Sequence, residues 1–188
     1  MTRIVVLPGS WRAGSVNLAL ARAAVAAAPA GCEAVLHSIR EVPLYDGDLE
    51  TASGIPAPVR ALKDAVAAAD GLLLVTPEYN NSVPGTLKNA IDWMSRPPAD
   101  SARVFAGRPV GLIGATPGAG GTRLAQGAWL PVLKTLGTQL WTGGSLFVAG
   151  ASKVFDASGR LTDEKVRELL EKYMKGFAEF VAAARRGG

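Results

Sequence analysis

The chain has 188 residues, of which 48% are hydrophobic and 19% are charged, and its formal net charge is +4. These values exclude a disordered chain and predict one globular domain over residues 1–188. No apolar run reaches the ~18 residues of a membrane span, and the short apolar start lacks the features of a signal peptide. We therefore expect a cytoplasmic protein without a membrane partner.

The distribution of basic residues and the small number of cysteines and histidines exclude several kinds of site. The basic residues are not grouped with aromatic residues, so we expect no nucleic-acid partner. Cys32 and His37 are the only cysteine and histidine, which excludes an internal disulfide and leaves no spacing typical of a metal site. The usual nucleophile–base pairs are absent as well. We predict no metal and no catalytic side chain, with the chemistry supplied by a bound cofactor.

Short apolar runs alternate with helical periodicity along the chain. Strands are predicted at residues 3–8, 32–39, 71–76, 109–116 and 138–148, the last bent at Gly143-Gly144. Helices are predicted at residues 16–28, 58–69, 86–94 and 122–136, and from Thr162 as N-cap onward. Residues 41–55 are predicted to form a loop. This alternation predicts a doubly wound α/β fold in three layers, with a five-stranded parallel sheet.

The last helix carries the clearest amphipathic pattern of the chain. Its apolar stripe is predicted to face the core and consists of Val166, Leu169, Leu170, Tyr173, Phe177, Phe180, Val181 and Ala184.

The loop after the first strand, GSWRAGSVN at residues 9–17, has the features of an anion site. Its glycines allow tight turns, its serines offer hydroxyls, its arginine offers a cation, and a helix N-terminus follows. The loop lacks the Lys-Ser/Thr of a P-loop and does not read G-x-G-x-x-G, so a monophosphate fits better than a triphosphate or a dinucleotide. For Ser15 alone, an ordinary N-cap is the alternative. The candidate residues are Ser10, Arg12, Ser15, Val16 and Asn17.

Two further loops lie at the same edge of the sheet. PEYNNSVPG at residues 77–85 follows the central strand and neighbours the first loop if the strand order is 2-1-3-4-5. Its prolines restrain the backbone, so that fixed N–H and C=O groups can address the edge of a planar heterocycle; a structural turn before the next helix is the alternative. TPGAGGT at residues 116–122 is a third candidate, or only a helix entry.

These segments resemble a known family. GSWRAGSVN and PEYNNSVPGTLKNAIDW, together with VPLYDGDLE at residues 42–50, resemble the NADPH-dependent FMN reductase family, which includes quinone, chromate and azo-dye reductases. The resemblance implies a flavodoxin-like fold with strand order 2-1-3-4-5 and FMN as cofactor. It also implies ping-pong hydride transfer from NADPH or NADH to a small acceptor such as a quinone, an azo compound, chromate or free flavin.

The resemblance also implies roles for individual residues. Ser10, Arg12, Ser15 and Asn17 would hold the FMN phosphate and ribityl chain. The isoalloxazine ring would be bordered by Pro77, Glu78, Tyr79 and Asn80, and on its pyrimidine side by the third loop, represented by Thr116, Gly118 and Gly120.

Family members assemble as homodimers or homotetramers, which points to subunit contacts at Lys88, Asn89, Asp92 and Trp93, although Trp93 could equally be a core residue. Gln126 and residues 140–150 do not match the tetramer contacts of the chromate-reducing branch, which puts a tetramer and chromate activity in doubt.

Two other functions stay open at this point. One is a non-enzymatic FMN-binding electron carrier of the flavodoxin type, and the other is a nucleotide-binding regulatory domain without redox activity. Electron carriers of that type are usually acidic, so a pI of about 9.5 and the arginine of the first loop argue against the carrier.

Overall fold

The computed structural model describes residues 1–187, and within them one parallel sheet is covered by helices on both faces. The strands are β1 (Thr2–Pro8), β2 (Cys32–Leu36), β3 (Gly71–Val75), β4 (Pro109–Ala115), β5 (Gln139–Leu140) and β6 (Leu146–Val148). The helices are α1 (Val16–Ala26), α2 (Gly47–Ser53), α3 (Ala57–Ala67), α4 (Gly85–Met94), α5 (Pro98–Phe105), α6 (Arg123–Thr135) and α7 (Glu164–Gly187), with a 3-10 helix at Ala151–Lys153.

The strand order is β2-β1-β3-β4-β5, and β6 also pairs with β4. This confirms the predicted three-layer fold and the order 2-1-3-4-5, which is that of flavodoxin-like proteins. The predicted fifth strand is broken in two: β5 pairs with the start of β4 and β6 with its end. Gly143 and Gly144 lie at the break, where a Cβ atom would come within 2.7 and 2.8 Å of the Trp141 indole. Glycine at both positions lets this ring fold back over the chain.

Alternating side chains of the central strands enter two apolar clusters, one on each face of the sheet. On the first face, Ile4, Val6 and Leu73 pack with residues of α1 and α7. On the other face, Val5 and Leu72 pack with residues of α3, α4 and α6. Because helices cover both faces of the sheet, the sequences of the central strands are continuous apolar runs.

Two helices were not predicted. The predicted loop at residues 41–55 contains α2, which has no buried residue and begins after Asp46, whose carboxylate accepts a hydrogen bond from the Asp48 N–H. Helix α5 lies in the unassigned stretch between the predicted helix and the fourth strand. Helix α2 has no buried face, and α5, with 8 residues, is too short for an apolar stripe that repeats over several turns.

The last helix differs from the prediction at two places. Its first turn is capped by Asp163, whose carboxylate accepts a hydrogen bond from the Val166 N–H, whereas the Thr162 hydroxyl donates to the Val154 carbonyl. The N-cap prediction at Thr162 is therefore wrong. Leu169 is 46% exposed, and Met174 is buried instead, because the contact face of α7 is rotated slightly from the predicted stripe.

Candidate functional site

The first and second loops meet at the carboxyl ends of β1 and β3. A Cβ atom on Gly9 would lie 2.7 Å from the Pro77 ring and 3.1 Å from the Pro84 ring. The Gly9 carbonyl also accepts a hydrogen bond of 3.0 Å from the Thr86 hydroxyl at the start of α4. Only glycine permits this close approach of the two loops. The strand order reverses here, which is where α/β sheets bind ligands.

The first loop ends at the N-terminus of α1. The Ser15 side chain caps this helix by accepting a hydrogen bond from the Leu18 N–H, as the plain N-cap alternative predicted. The N–H groups of Val16 and Asn17 have no acceptor within the described chain, and the first turn contains no acidic residue. This end of α1 therefore offers free donors and the positive end of a helix dipole to an anion.

The side chains of Arg12 and Asn17 differ in how many hydrogen bonds they make within the protein. Arg12 is exposed, donates only a 3.3 Å hydrogen bond to the Ala13 carbonyl, and has no carboxylate partner among the described residues. The buried Asn17 amide makes two hydrogen bonds with the backbone of Ala115, at 2.8 and 2.9 Å. Asn17 thereby joins α1 to the end of β4, and its free backbone N–H is its clearest contribution to the site.

The second loop is a tight turn from Tyr79 to Ser82. Asn80 and Asn81 both have positive φ, at 50° and 60°, and Tyr79 and Ser82 exchange two backbone hydrogen bonds. Positive φ at both central positions is the requirement of a type I′ turn, which asparagine tolerates well. The N–H groups of Glu78 and Asn80 have no acceptor in the described chain, and the Tyr79 side chain is 48% exposed.

The Glu78 carboxylate is bound to the start of α6. It accepts hydrogen bonds from the N–H groups of Leu124 and Ala125, at 2.9 and 3.0 Å. The Trp129 indole of the same helix donates to the Thr76 hydroxyl, which in turn donates to the Pro77 carbonyl. Helix α6 therefore holds both ends of the Thr76–Glu78 stretch, a role of Thr76 and Trp129 that no local sequence signal indicated.

The third loop leaves the end of β4 and is bonded through Thr116 to the end of β6. The Thr116 N–H donates to the Val148 carbonyl, and the Thr116 hydroxyl accepts from the Gly118 N–H. Gly120 is exposed, and a Cβ atom there would lie 3.8 Å from a Glu78 carboxylate oxygen. The third loop thus lies at the same edge of the sheet as the first and second loops.

Most of the predicted site residues line one small cavity. Asn80, Gly118 and Gly120 lie on the exposed rim of the loops instead, and Ala115 and Pro117 line the cavity although they were not predicted. The predicted residues in its wall are Ser10, Arg12, Ser15, Val16, Asn17, Pro77, Glu78, Tyr79 and Thr116.

Comparison with known proteins finds relatives over almost the whole chain. Residues 2–153 match the NADPH-dependent FMN reductase family. The chain is 38% identical over 183 residues to an NAD(P)H-dependent FMN reductase of Pseudomonas aeruginosa, covering 97% of both chains. The chain belongs to this family. It is also 39% identical over 179 residues to a 2-hydroxy-1,4-benzoquinone reductase of a Burkholderia species, covering 95% of this chain and 96% of the relative.

A solved structure supports membership of the FMN reductase family. The flavoenzyme FerB of Paracoccus denitrificans, an NAD(P)H:(acceptor) oxidoreductase, superposes with a TM-score of 0.87 at 32% identity, over 98% of this chain and 99% of its own. The protein is accordingly an oxidoreductase with FMN and NAD(P)H as its cofactors.

The donor groups at the site fit FMN. The first-loop part of the cavity combines an exposed guanidinium, two serines and two free N–H groups at a helix start, and the only carboxylate in the cavity wall is bound by the N–H groups of α6. A monophosphate carries the charge that such donors favour. The second-loop part offers restrained backbone groups and the exposed Tyr79 side chain, which suit a planar heterocycle.

The candidate subunit-contact residues are mostly engaged within the chain. Asn89 accepts from the Tyr45 N–H and donates to the Pro43 carbonyl, and the buried Trp93 indole donates to the same carbonyl. Lys88 and Asp92 form an ion pair along α4. Asn89 and Trp93 therefore fasten the 42–53 segment to α4, and Trp93 is a core residue.

The 42–53 segment is also held by an ion pair. The Arg96 guanidinium binds the Glu50 carboxylate at 2.9 Å and holds the pKa of that carboxyl below its usual value. The Tyr45 hydroxyl donates a hydrogen bond to the Glu50 carboxylate, which raises the pKa of the phenol. These contacts position Leu44, which is 83% exposed, beside the first and second loops.

The described part of the chain contains no group of His, Cys, Asp and Glu suited to a metal ion. Nor is any of its helices both long and apolar enough to cross a lipid bilayer.

Proposed function

We propose that this protein binds FMN at the carboxyl edge of the sheet and transfers electrons from NAD(P)H to a quinone or another small acceptor. The observation that carries the proposal is the meeting of the first and second loops at Gly9, which places free anion donors beside a restrained turn. The quinone substrate in the name of the Burkholderia relative supports this acceptor class. Azo compounds, chromate and free flavin are further candidates.

The phosphate end would be formed by the start of α1. Ser10, Ser15 and Arg12 supply side-chain donors, and the N–H groups of Val16 and Asn17 supply backbone donors. Backbone donors at a helix start are already oriented, so binding costs little ordering of the protein. The Asn17 side chain acts indirectly, by fixing the α1 N-terminus against Ala115.

The ring end would be formed by the second and third loops. Pro77, Glu78, Tyr79 and Asn80 border one part of the ring, and Thr116 and the two glycines Gly118 and Gly120 border another. The chemistry that FMN supplies when bound is hydride acceptance from the nicotinamide and electron transfer to the acceptor. Fixed N–H donors at Glu78 and Asn80 would stabilise negative charge that develops in the site.

No side chain is required to move a proton. The Glu78 carboxylate is the only acid in the cavity wall, and its contacts with α6 give it a structural task. Nicotinamide and acceptor would use the same open face in turn, because the three loops occupy the other sides. Such alternation predicts ping-pong kinetics.

Two measurements test the proposal. The purified protein should show a flavin absorption spectrum, or acquire one after incubation with FMN, and anaerobic NADPH or NADH should bleach it rapidly. Steady-state rates with a quinone should then give parallel double-reciprocal lines. A bound flavin that neither nucleotide reduces would instead indicate an electron carrier, and a protein that takes up no FMN would refute the site.

Assembly and location are further parts of the proposal. We expect a homodimer or homotetramer, supported by two apolar side chains of α6, Leu124 and Leu130, that are 55% and 46% exposed. Sedimentation velocity measures the assembly directly, and a monomer at micromolar concentration would refute it. We also expect a cytoplasmic location, which cell fractionation checks.

A further inference from the structure

A groove adjoins the candidate site at the first loop and at Tyr79. It has a volume of about 480 Å³ and is lined by Tyr79, by Trp11 and Arg12 of the first loop, and by Ile39 and Arg40 after β2. We call it the Arg40 groove. It offers two aromatic side chains and an aliphatic wall, which is the lining expected for a flat base.

The charge in the Arg40 groove is positive. Two arginines and no carboxylate line it, and within the described chain neither arginine forms an ion pair. One Arg40 nitrogen, Nη2, donates a 2.6 Å hydrogen bond to the Trp11 carbonyl. This bond holds the exposed guanidinium against the first loop and leaves Nε and Nη1 for another acceptor.

We propose that Arg40 binds the 2′-phosphate of NADPH and thereby makes this protein prefer NADPH to NADH. The inference rests on the proposed function, in which the nicotinamide reaches the ring beside Tyr79. The rest of the dinucleotide then lies along the Arg40 groove. Arg12 is assigned to the FMN phosphate, so Arg40 is the cation left for a second phosphate. A guanidinium presents paired N–H donors that match phosphate oxygens.

A second groove provides the matched control. It also starts at Arg12 but runs along α1 to Arg22, past Ser158 and Gly159, and Tyr79 does not line it. Arg22 is exposed and is not part of the proposed site. Replacing Arg22 removes the same charge from the protein without touching the Arg40 groove.

The first test is nucleotide selectivity. We expect Arg40→Gln to lower kcat/KM for NADPH by about tenfold, as for the loss of a charged hydrogen bond, and to leave kcat/KM for NADH within about twofold. Arg22→Gln should leave the ratio of the two values unchanged. Equal losses with both nucleotides, no loss with either, or a selective loss in Arg22→Gln would overturn the inference.

The second test measures binding without turnover. Calorimetry on the FMN-loaded protein compares 2′,5′-ADP with 5′-AMP, which differ only in the 2′-phosphate. We expect 2′,5′-ADP to bind about tenfold more tightly to the wild type, and the difference to vanish in Arg40→Gln. Equal affinities in the wild type would overturn the inference. Because this measurement needs no turnover, its outcome does not depend on whether NAD(P)H reduces the flavin. A failure of that reduction would refute the proposed function but not the role of Arg40.

Discussion

At the scale of single residues, Gly9 sets the distance between the two loops of the site. In Gly9→Ala the new Cβ atom would meet the rings of Pro77 and Pro84, which cannot rotate away. We expect this overpacking to lower the free energy of unfolding by about 1–3 kcal/mol and to weaken FMN binding. Urea denaturation and an FMN titration of the apoprotein measure the two effects.

Gly85 is the matched control for Gly9. A Cβ atom at Gly85 would meet nothing within 4 Å, and the residue begins α4. Gly85→Ala should therefore be neutral, or stabilise the protein by up to about 1 kcal/mol. If both variants unfolded at the same urea concentration as the wild type, the close packing of the two loops would be disproved.

Arg12 is the residue on which the affinity for the FMN phosphate should depend most. Its guanidinium makes one weak hydrogen bond within the protein, so Arg12→Gln has little to disturb in the folded chain. We expect the Kd for FMN to rise about tenfold or more, with the unfolding midpoint of the apoprotein unchanged. Quenching of flavin fluorescence gives the Kd. A variant that binds FMN as the wild type does would remove Arg12 from the phosphate site.

At the scale of elements, the sequence predicted those parts of the fold whose pattern is local. Strand β3 is buried throughout and appears as the apolar run GLLLV, and α1, α3, α4 and α6 each have a buried face. Helix α2 buries nothing and α5 buries only Val104 and Phe105, so neither has a periodic stripe to recognise. Their positions depend on contacts with distant residues, such as the ion pair between Glu50 and Arg96.

The same distinction applies to the site. The three loops could be selected as candidates because each follows a buried strand and precedes a helix. The hydrogen bond between the Glu78 carboxylate and the α6 N-terminus, 46 positions away, could not be predicted from the sequence. Nor could the contact of Arg40 with the first loop, which joins residues 29 positions apart. Only the folded chain brings these groups together.

The turn before α7 makes a prediction about pH. Asp156 accepts hydrogen bonds from Ser158 and Arg160, which hold the pKa of its carboxyl well below its usual value. The unfolded chain therefore takes up this proton at higher pH than the folded one. The resulting stabilisation is complete above the ordinary pKa of about 3.9 and is lost as the pH falls below it.

Asp156→Asn should accordingly lower Tm at pH 7 and reduce the further loss of Tm on acidification from about pH 5 downward. Thermal unfolding followed by circular dichroism across this range measures both effects. Glu41→Gln, which removes an exposed carboxylate that accepts no hydrogen bond from the described residues, is the control. A profile of Asp156→Asn that parallels the wild type at every pH would show that the turn contributes nothing.

At the scale of the whole molecule, one sheet separates two apolar clusters, and the same strands supply both. Ile4 faces one cluster and its neighbour Val5 faces the other, so neither cluster can open without breaking β1. The site stands on the ends of these strands. Close packing of either apolar cluster should therefore help to keep the loops of the site in place.

This arrangement predicts that the chain unfolds as one cooperative unit. Trp129 belongs to one cluster, and Trp141 packs against the other, with its ring centroid 4.6 Å from that of Tyr173. In each variant that retains only one of these two tryptophans, tryptophan fluorescence and far-UV circular dichroism should give the same urea midpoint. Phe177→Ala, which removes a fully buried ring beside Trp141, should lower the free energy of unfolding by about 3–5 kcal/mol. Both probes should shift together, because a midpoint that moved for Trp141 alone would mean that the two faces of the sheet unfold independently.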